Sequence, residues 1–323
     1  MKQKANILWV ALTTFVMGYV VSALTQSGHA HSGAPAIIRI ARPEANASAP
    51  TSAGIARARK AHFTDTALPE SFTHGRSNGL NRPEALTPFF NLLDRHARPV
   101  RVLHLGDSHV AGKTFPEKVR QTLYEAWGQA DSTHTGITYT FMGRNGATTA
   151  HFANDERMQQ IAAANPDLII LSFGTNECHG MGYDEARHTA QLETFFDLLG
   201  TACPQAVIML TTPPGDCIAQ RTVGYVTRNG RRRRIVRRHN RTNPMTVRCA
   251  ANIEQFAADR HLAVWDLNTI AGGDQAVSAW QRSGMMRPDR IHYTPEGYSL
   301  QGRLLGEAIL MAYNDYADRT VAP

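Results

Sequence analysis

Cysteine is scarce in this chain: four among 323 residues, at Cys178, Cys203, Cys217 and Cys249. None of them has CxxC or zinc-finger spacing, which argues against a metal site, and nothing in the chain implies a cofactor. Cys217 and Cys249 bracket one segment and a bridge between them would clamp its ends, but four cysteines allow several connectivities and the pairing stays open. No internal repeat is present, so a solenoid or propeller is excluded. Charged residues make up 19% and apolar residues 42%, which is neither a disordered nor a fibrous composition. Acidic residues are absent from one place in particular. Between Arg221 and Arg248 lie ten arginines and no Asp or Glu, and the net charge of +7 less those ten leaves −3 for everything else. The basicity belongs to a segment, not to the fold.

The N-terminus has a targeting pattern. Lys2 and Lys4 precede an uncharged, mostly apolar stretch from Ala5 to Thr25, with small residues next at Ser27, Gly28 and Ala30. The stretch is long enough to cross a bilayer, which takes ~20 residues, and also resembles a cleaved signal. Charge on its N-terminal side predicts export of the rest of the chain, either soluble in a periplasm or tethered to the inner membrane. Residues 1–25 are therefore expected to be a signal peptide or anchor. Residues 26–83 begin as a low-complexity stretch of Ala, Ser, Pro, Gly and Arg that reads as a flexible linker. The folded domain is expected at 84–323, with an Arg-rich insertion at about 217–249.

Strands and helices alternate through that domain. Short apolar runs at Val100–Leu105, Ile137–Met142, Asp167–Phe173, Ala206–Leu210 and Leu262–Leu267 read as strands. Helical stretches fall at Thr87–Leu93, Glu117–Trp127, Asp155–Ala164, Asp184–Leu199, Pro244–Arg260 and Pro295–Tyr316. Such alternation predicts right-handed crossovers and a mainly parallel sheet covered on both faces, a three-layer α/β class. Ligands in these sheets bind beyond the carboxyl ends of the strands. Ser108, Asn145-Gly146 and Asn176 are expected there.

Those positions carry chemistry. A serine becomes a nucleophile when a base takes its proton and a third group holds the base in the right tautomer. Gly106-Asp107-Ser108 at a strand end makes a tight turn that exposes a hydroxyl, and Asp289-Arg-Ile-His292 offers a carboxylate and an imidazole on one turn of chain. Acyl transfer also needs oxyanion donors, for which Ser108 N–H, Gly146 N–H and the Asn176 amide are the candidates. Alone, Gly-Asp-Ser is a common turn and Asp-x-x-His a common surface pair.

Order changes that reading. Gly-Asp-Ser-His at 106–109, Arg-Asn-Gly-Ala-Thr-Thr at 144–149, Gly-Thr-Asn-Glu at 174–177 and Asp-Arg-Ile-His at 289–292 closely resemble the four blocks of the SGNH, or GDSL-type, hydrolase superfamily. The match runs from about Val100 to Ala312. It implies a flavodoxin-like α/β/α fold, with Ser108, Gly146, Asn176 and His292 as the name-giving residues and Asp289 completing a triad. His109, where GDSL enzymes usually carry leucine, together with Ser-Phe-Gly-Thr-Asn-Glu and Thr-Thr-Pro-Pro-Gly, resembles the branch of exported peptidoglycan O-acetylesterases, which act on the O-6 acetyl of N-acetylmuramic acid. Relatives of that branch carry a separate β-rich module after the first block. The 34 residues between His109 and Arg144 are too few for one.

The resemblance thus implies an acetylated glycan as substrate and a serine esterase as activity. Its rivals are a polysaccharide O-acetyltransferase using the same triad, a lipase or thioesterase, and an inactive glycan-binding module. His109 and Glu177 are possible pocket residues, with packing or turn roles as alternatives. His104 is expected to be a satisfied core histidine, and Cys178 a packing residue. Glu177 and His179 either orient Asn176 or border the cleft. The arginines of 221–248 suggest an anionic envelope polymer, against the alternative of a solvated hairpin with no specific partner. Nucleic acid is disfavoured because no aromatic interleaving accompanies them. Tyr225 to Arg231 reads as a strand and an Asn-Gly turn, hence a small β-hairpin.

Overall fold

In the computed structural model, residues 60–321 are described. The expected signal segment and the linker up to 59 lie outside them. Among the described residues no helix is long and apolar enough to cross a membrane.

Five strands form one parallel sheet: β1 (Val100–Gly106), β2 (Ile137–Gly143), β3 (Leu168–Ser172), β4 (Val207–Thr211) and, after a two-stranded hairpin of β5 (Cys217–Arg228) and β6 (Arg231–Thr242), β7 (Ala263–Trp265). The sheet order is β2-β1-β3-β4-β7. All four pairings are parallel, and the order reverses at β1, which places the switch point of the sheet between β1 and β3.

Alternation along each strand sorts the core into two layers. Val100 and Val102 of β1 and Leu168 and Ile170 of β3 point to one face. Helices α1 (Thr87–Arg95), α3 (Thr114–Trp127) and α10 (Pro295–Val321) cover it. Leu103, Leu105, Ile169 and Leu171 point to the other, under α4 (Asp155–Ala164), α6 (Glu185–Ala202) and α7 (Met245–Asp259). With both faces buried, β3 is almost wholly apolar and β1 largely so, which makes them legible in the sequence, whereas the edge strand β2 alternates and exposes Thr138 and Thr140. Helix starts obey capping chemistry: Asn154 accepts from Arg157 N–H at 3.1 Å and Asp184 from Arg187 N–H at 3.0 Å. Four short helices carry loops: α2 (Ser108–Ala111), α5 (Thr175–Cys178), α8 (Leu267–Ile270) and α9 (Ala276–Arg282).

One expectation needs correction. The linker does not extend to 83, because residues 60–82 pack on the domain. Ala61 and Asn314 exchange two hydrogen bonds, of 2.7 and 3.0 Å. Thr66 donates twice to Glu307, Phe72 meets Trp280 edge-on at 4.8 Å, and Asn81 pairs with Val264 on the edge of β7. Scattered polar anchors and a few apolar contacts, from Phe63, Leu68, Phe72 and Leu80, hold this segment without a periodic pattern, so hydropathy alone does not reveal it. On the cysteine pairing that the sequence left open, all four cysteines are free thiols in the structure. Cys217 starts the hairpin, while Cys249 lies on α7 in the second core layer, where its thiol faces Gly174 O at 3.5 Å.

Candidate active site

The turn after β1 is built by exclusion. A Cβ on Gly106 would run into the Val110 side chain and the Ser172 carbonyl, so only glycine lets the chain pass. Asp107 then caps α2, its Oδ1 accepting the His109 N–H at 2.9 Å, which leaves Ser108 in the first turn of that helix. Asp107 is buried, and burial pushes its carboxyl up to about 7 against the His109 N–H bond, which pulls the other way.

Ser108 meets its base. His292 Nε2 lies 2.9 Å from Ser108 Oγ, and His292 Nδ1 lies 3.0 Å from Asp289 Oδ2. The second oxygen, Asp289 Oδ1, accepts the backbone N–H of Ile291 and of His292, each at 2.9 Å. This tight loop needs Arg290 in the left-handed region, with φ 58°. Partial burial raises the Asp289 carboxyl, but the hydrogen bonds from His292 and Ile291 outweigh it and hold it below the usual carboxylate range. An ionised Asp289 fixes the Nδ1–H tautomer and leaves Nε2 free to accept the serine proton.

Gly146 and Asn176 reach the same place from β2 and β3. Gly146 has φ +70°, and among the described residues neither its N–H nor that of Ser108 has a protein acceptor. Asn176 Nδ2 donates to Ala147 O at 2.9 Å and more loosely to Asp107 Oδ2 at 3.3 Å. Asn176 therefore ties the second loop to the nucleophile turn. Glu177 does the same from the next position: Oε1 accepts Thr149 N–H at 2.8 Å and Oε2 accepts Gly174 N–H at 2.9 Å. Glu177 keeps some surface, but its carboxyl group is enclosed, and burial pushes it up to about 7 while those N–H bonds oppose.

His109 is a satisfied buried group, bonded to Tyr298 OH at 2.9 Å and to Thr175 Oγ1 at 3.2 Å. Burial pushes it down to about 3, so it stays neutral across the working pH range. It packs 5.6 Å from the His292 ring and supports that ring from behind. His104 is likewise buried between Tyr139 OH and Ser172 Oγ, each at 2.7 Å. A cavity of about 20 Å³ lies beside His109, lined among others by Asp107, Thr175 and Gln301. That is room for one water-sized molecule, so it cannot accept an acyl chain.

Sequence reasoning did not single out Asp216. It is buried, and its Oδ2 meets His179 Nδ1 at 2.5 Å while Oδ1 accepts Asn243 Nδ2 at 2.9 Å and Thr246 Oγ1 at 2.8 Å. The bond from Asp216 raises His179 above its ordinary value. Nothing in the sequence marks this hub, because His179, Asp216 and the Asn243–Thr246 turn lie far apart in the chain. Among the described residues no cluster suited to a metal ion occurs.

The family model described as GDSL-like lipase/acylhydrolase matches residues 104–300, from the strand before Ser108 to beyond His292. The chain belongs to that family. It is a carboxylic ester hydrolase of the SGNH type, resembling O-acetylesterases. Among solved structures, a peptidoglycan O-acetylesterase is similar at 15% identity with a TM-score of 0.58, covering 74% of this chain and 99% of that one. A two-domain esterase active on acetylated mannans shows 14% identity and a TM-score of 0.48, over 75% of this chain and 57% of that one. A gut microbial diltiazem-metabolizing enzyme shows 18% identity and a TM-score of 0.46, over 66% and 47%. No curated protein sequence matches the chain. The fold shared with the peptidoglycan O-acetylesterase is the α/β/α sandwich described above.

Proposed function

We propose that this SGNH hydrolase is an exported acetylesterase that removes O-acetyl groups from a cell-envelope polysaccharide, with O-acetylated peptidoglycan as its substrate. The carrying observation is the 2.9 Å contact between His292 Nε2 and Ser108 Oγ. A half-buried serine beside the exposed Asp289 loop suits a small acyl group presented on a bulky polymer. The N-terminal charge and apolar pattern supports export, and the fold shared with a peptidoglycan O-acetylesterase supports the polymer.

Each step is assigned to a residue of the site. His292 Nε2 takes the Ser108 proton as Oγ bonds to the acetyl carbon. The N–H groups of Ser108 and Gly146, with the Asn176 N–H now spent on the long Asp107 contact, hold the oxyanion. The His292 imidazolium gives its proton to the departing sugar oxygen, leaving acetyl on Ser108. Water, deprotonated by His292, attacks that ester, and acetate leaves as the proton returns to Oγ. Asp289 stays ionised throughout.

The test is acetate release from O-acetylated peptidoglycan, wild type against Ser108→Ala. Release by the wild type, falling by at least about 10³ in the variant, is expected. No release by the wild type overturns the substrate. Preference for long-chain over acetyl p-nitrophenyl esters overturns the acetylesterase reading, and acetyl transfer to a chito-oligosaccharide outpacing acetate release makes the protein a transferase.

A further inference from the structure

The β5–β6 hairpin does nothing for the core. From Ala219 to Asn240 every residue is exposed except Gly224 and Ile235, which are half-buried. Twelve-residue strands make an arm of about 40 Å. Asn229 and Gly230, with φ 51° and 72°, form the turn that the Asn-Gly pair predicts. The arm carries nine arginines and no acid. By its register, Arg221, Arg232, Arg234 and Arg238 share one face with Val223, Tyr225 and Val236, and the other five arginines lie on the reverse. Arg221 faces Arg238 and Arg228 faces Arg231 across the strands, like-charge pairs that weaken the hairpin.

Both ends of the arm are tied to the catalytic loops. Cys217 N–H, at the start of β5, donates to Arg290 O at 2.8 Å, and Arg290 lies between Asp289 and His292. Asn243, just after β6, donates to Cys178 O at 2.9 Å, two residues past Asn176. A polymer lying along the arm therefore runs from its tip to the catalytic loops at its base. A lipid surface fits less well. The tip is Arg228-Asn-Gly-Arg231, while the exposed Val223, Tyr225 and Val236 sit midway along the arm, where they cannot enter a bilayer first. Charge on both faces also suits a strand of polymer lying along the arm more than a plane meeting one side of it. Tyr225, under the Arg232 guanidinium at 4.2 Å, and its valine neighbours offer an apolar bed between the charges.

We propose that this arm is a binding element for the carboxylate groups of the polymer whose acetyl ester Ser108 cleaves, that is, for the acidic stem peptides of peptidoglycan. The polymer's identity rests on the acetylesterase reading, but the test of the arm needs no turnover. Ser108→Ala protein is sedimented with insoluble peptidoglycan, and compared with the same protein carrying Arg231→Gln, Arg232→Gln, Arg233→Gln and Arg234→Gln, or the four Arg→Lys changes. The apparent affinity is expected to fall at least about tenfold with Gln, to survive with Lys, and to fall for both as salt rises from about 0.05 to about 0.5 M. Peptidoglycan with its carboxylates converted to amides should bind the parent protein as weakly as the Gln variant binds native polymer. Equal thermal midpoints confirm that the variants are folded, and a shortened arm closed by a Gly-Asn-Gly turn replaces the Gln set if they are not. With Ser108 restored, the Gln set should raise KM for the polymer and leave kcat near wild type. The proposal is overturned by undiminished binding of the Gln variant, by indifference to amidation, or by tighter binding to phosphatidylglycerol vesicles or single-stranded DNA than to peptidoglycan. Salt-sensitive binding without acetate release by the active enzyme would support the arm and sink the substrate reading instead.

Discussion

Glu177→Gln is the substitution whose consequences the structure specifies most closely. The carboxylate bridges two loops, accepting from Thr149 N–H with one oxygen and from Gly174 N–H with the other. Glutamine keeps one acceptor and turns an NH₂ group towards the other donor. One hydrogen bond to a carboxyl oxygen is lost and two donors are left facing each other, which costs about 1–3 kcal/mol. For a domain of this size that lowers the thermal midpoint by roughly 3 °C per kcal/mol. The two loops carry Gly146 and Asn176, so their relative position sets the oxyanion donors. Turnover of p-nitrophenyl acetate should fall roughly tenfold or more through kcat with KM little changed, because the loss is felt in the transition state.

The pH dependence gives an independent reading. Burial raises Glu177 from 4.5 to about 7, so the folded state holds a proton that the unfolded chain has already released. The associated stability is fully present below the unfolded value and is lost as pH rises through about 7. It amounts to at most about 3 kcal/mol. The variant cannot titrate there. Urea unfolding from pH 5 to pH 8 should therefore show the wild type losing stability relative to Glu177→Gln as pH rises. A constant difference across that range, with unaltered kcat, would refute the bridging role.

Other substitutions test neighbouring parts of the site. His109→Leu installs the residue usual in GDSL enzymes but strands the Tyr298 and Thr175 hydroxyls, costing about 1–3 kcal/mol in chemical unfolding, with kcat changing less than about tenfold. A hundredfold loss of kcat at unchanged stability would make His109 a participant in the reaction. Gly146→Ala meets no steric obstacle, since nothing lies within 4 Å of the added carbon. Its cost of about 1 kcal/mol comes from holding alanine at φ +70°, and kcat falls as the N–H is mis-aimed, whereas unchanged kinetics would remove Gly146 from the oxyanion site. Asp167→Asn breaks a fork in which Arg98 donates at 2.6 and 2.7 Å and Arg101 N–H at 2.8 Å. Burial raises that carboxyl but the arginines more than reverse it. Its stability contribution of about 2 kcal/mol is thus present above the unfolded carboxylate range and lost as pH falls through the folded value, and the variant's acid unfolding should be correspondingly flatter.

The parallel sheet was legible because strands buried on both faces are continuous apolar runs, so Val100–Gly106 and Leu168–Ser172 stand out from their polar surroundings. The functional blocks were legible for a related reason. The first three sit at a strand's carboxyl end, where a turn has to come next and its glycines and asparagines are conspicuous, and the fourth, Asp289–His292, lies just before α10. Four such blocks in one order carry far more than any of them alone. What escaped notice was long-range and polar. Asp216 brings together residues from 179 to 246, and residues 60–82 are held by isolated bonds to Asn314, Glu307 and Val264 and by scattered apolar contacts such as Phe72 on Trp280. Neither leaves a periodic trace, because hydrogen bonds between distant positions impose no spacing on the sequence. The short helix Ser108–Ala111 was missed for want of length, four residues being too few to show a period.

Asp216 also joins the two halves of the site that the chain order separates. Its neighbour Cys217 has its N–H held by Arg290 O beside the base, and Asp216 itself grips His179 and Asn243 beside the oxyanion loop. The arm grows out of this junction. A long, open hairpin with facing arginines is weakened by its own charge, and it buries almost nothing that would repay the ordering of its backbone. Its strands converge on buried, fully bonded groups only where they meet the catalytic loops. Rigidity is therefore concentrated at the base, where it positions Asp289, His292 and Asn176, and relinquished along the shaft.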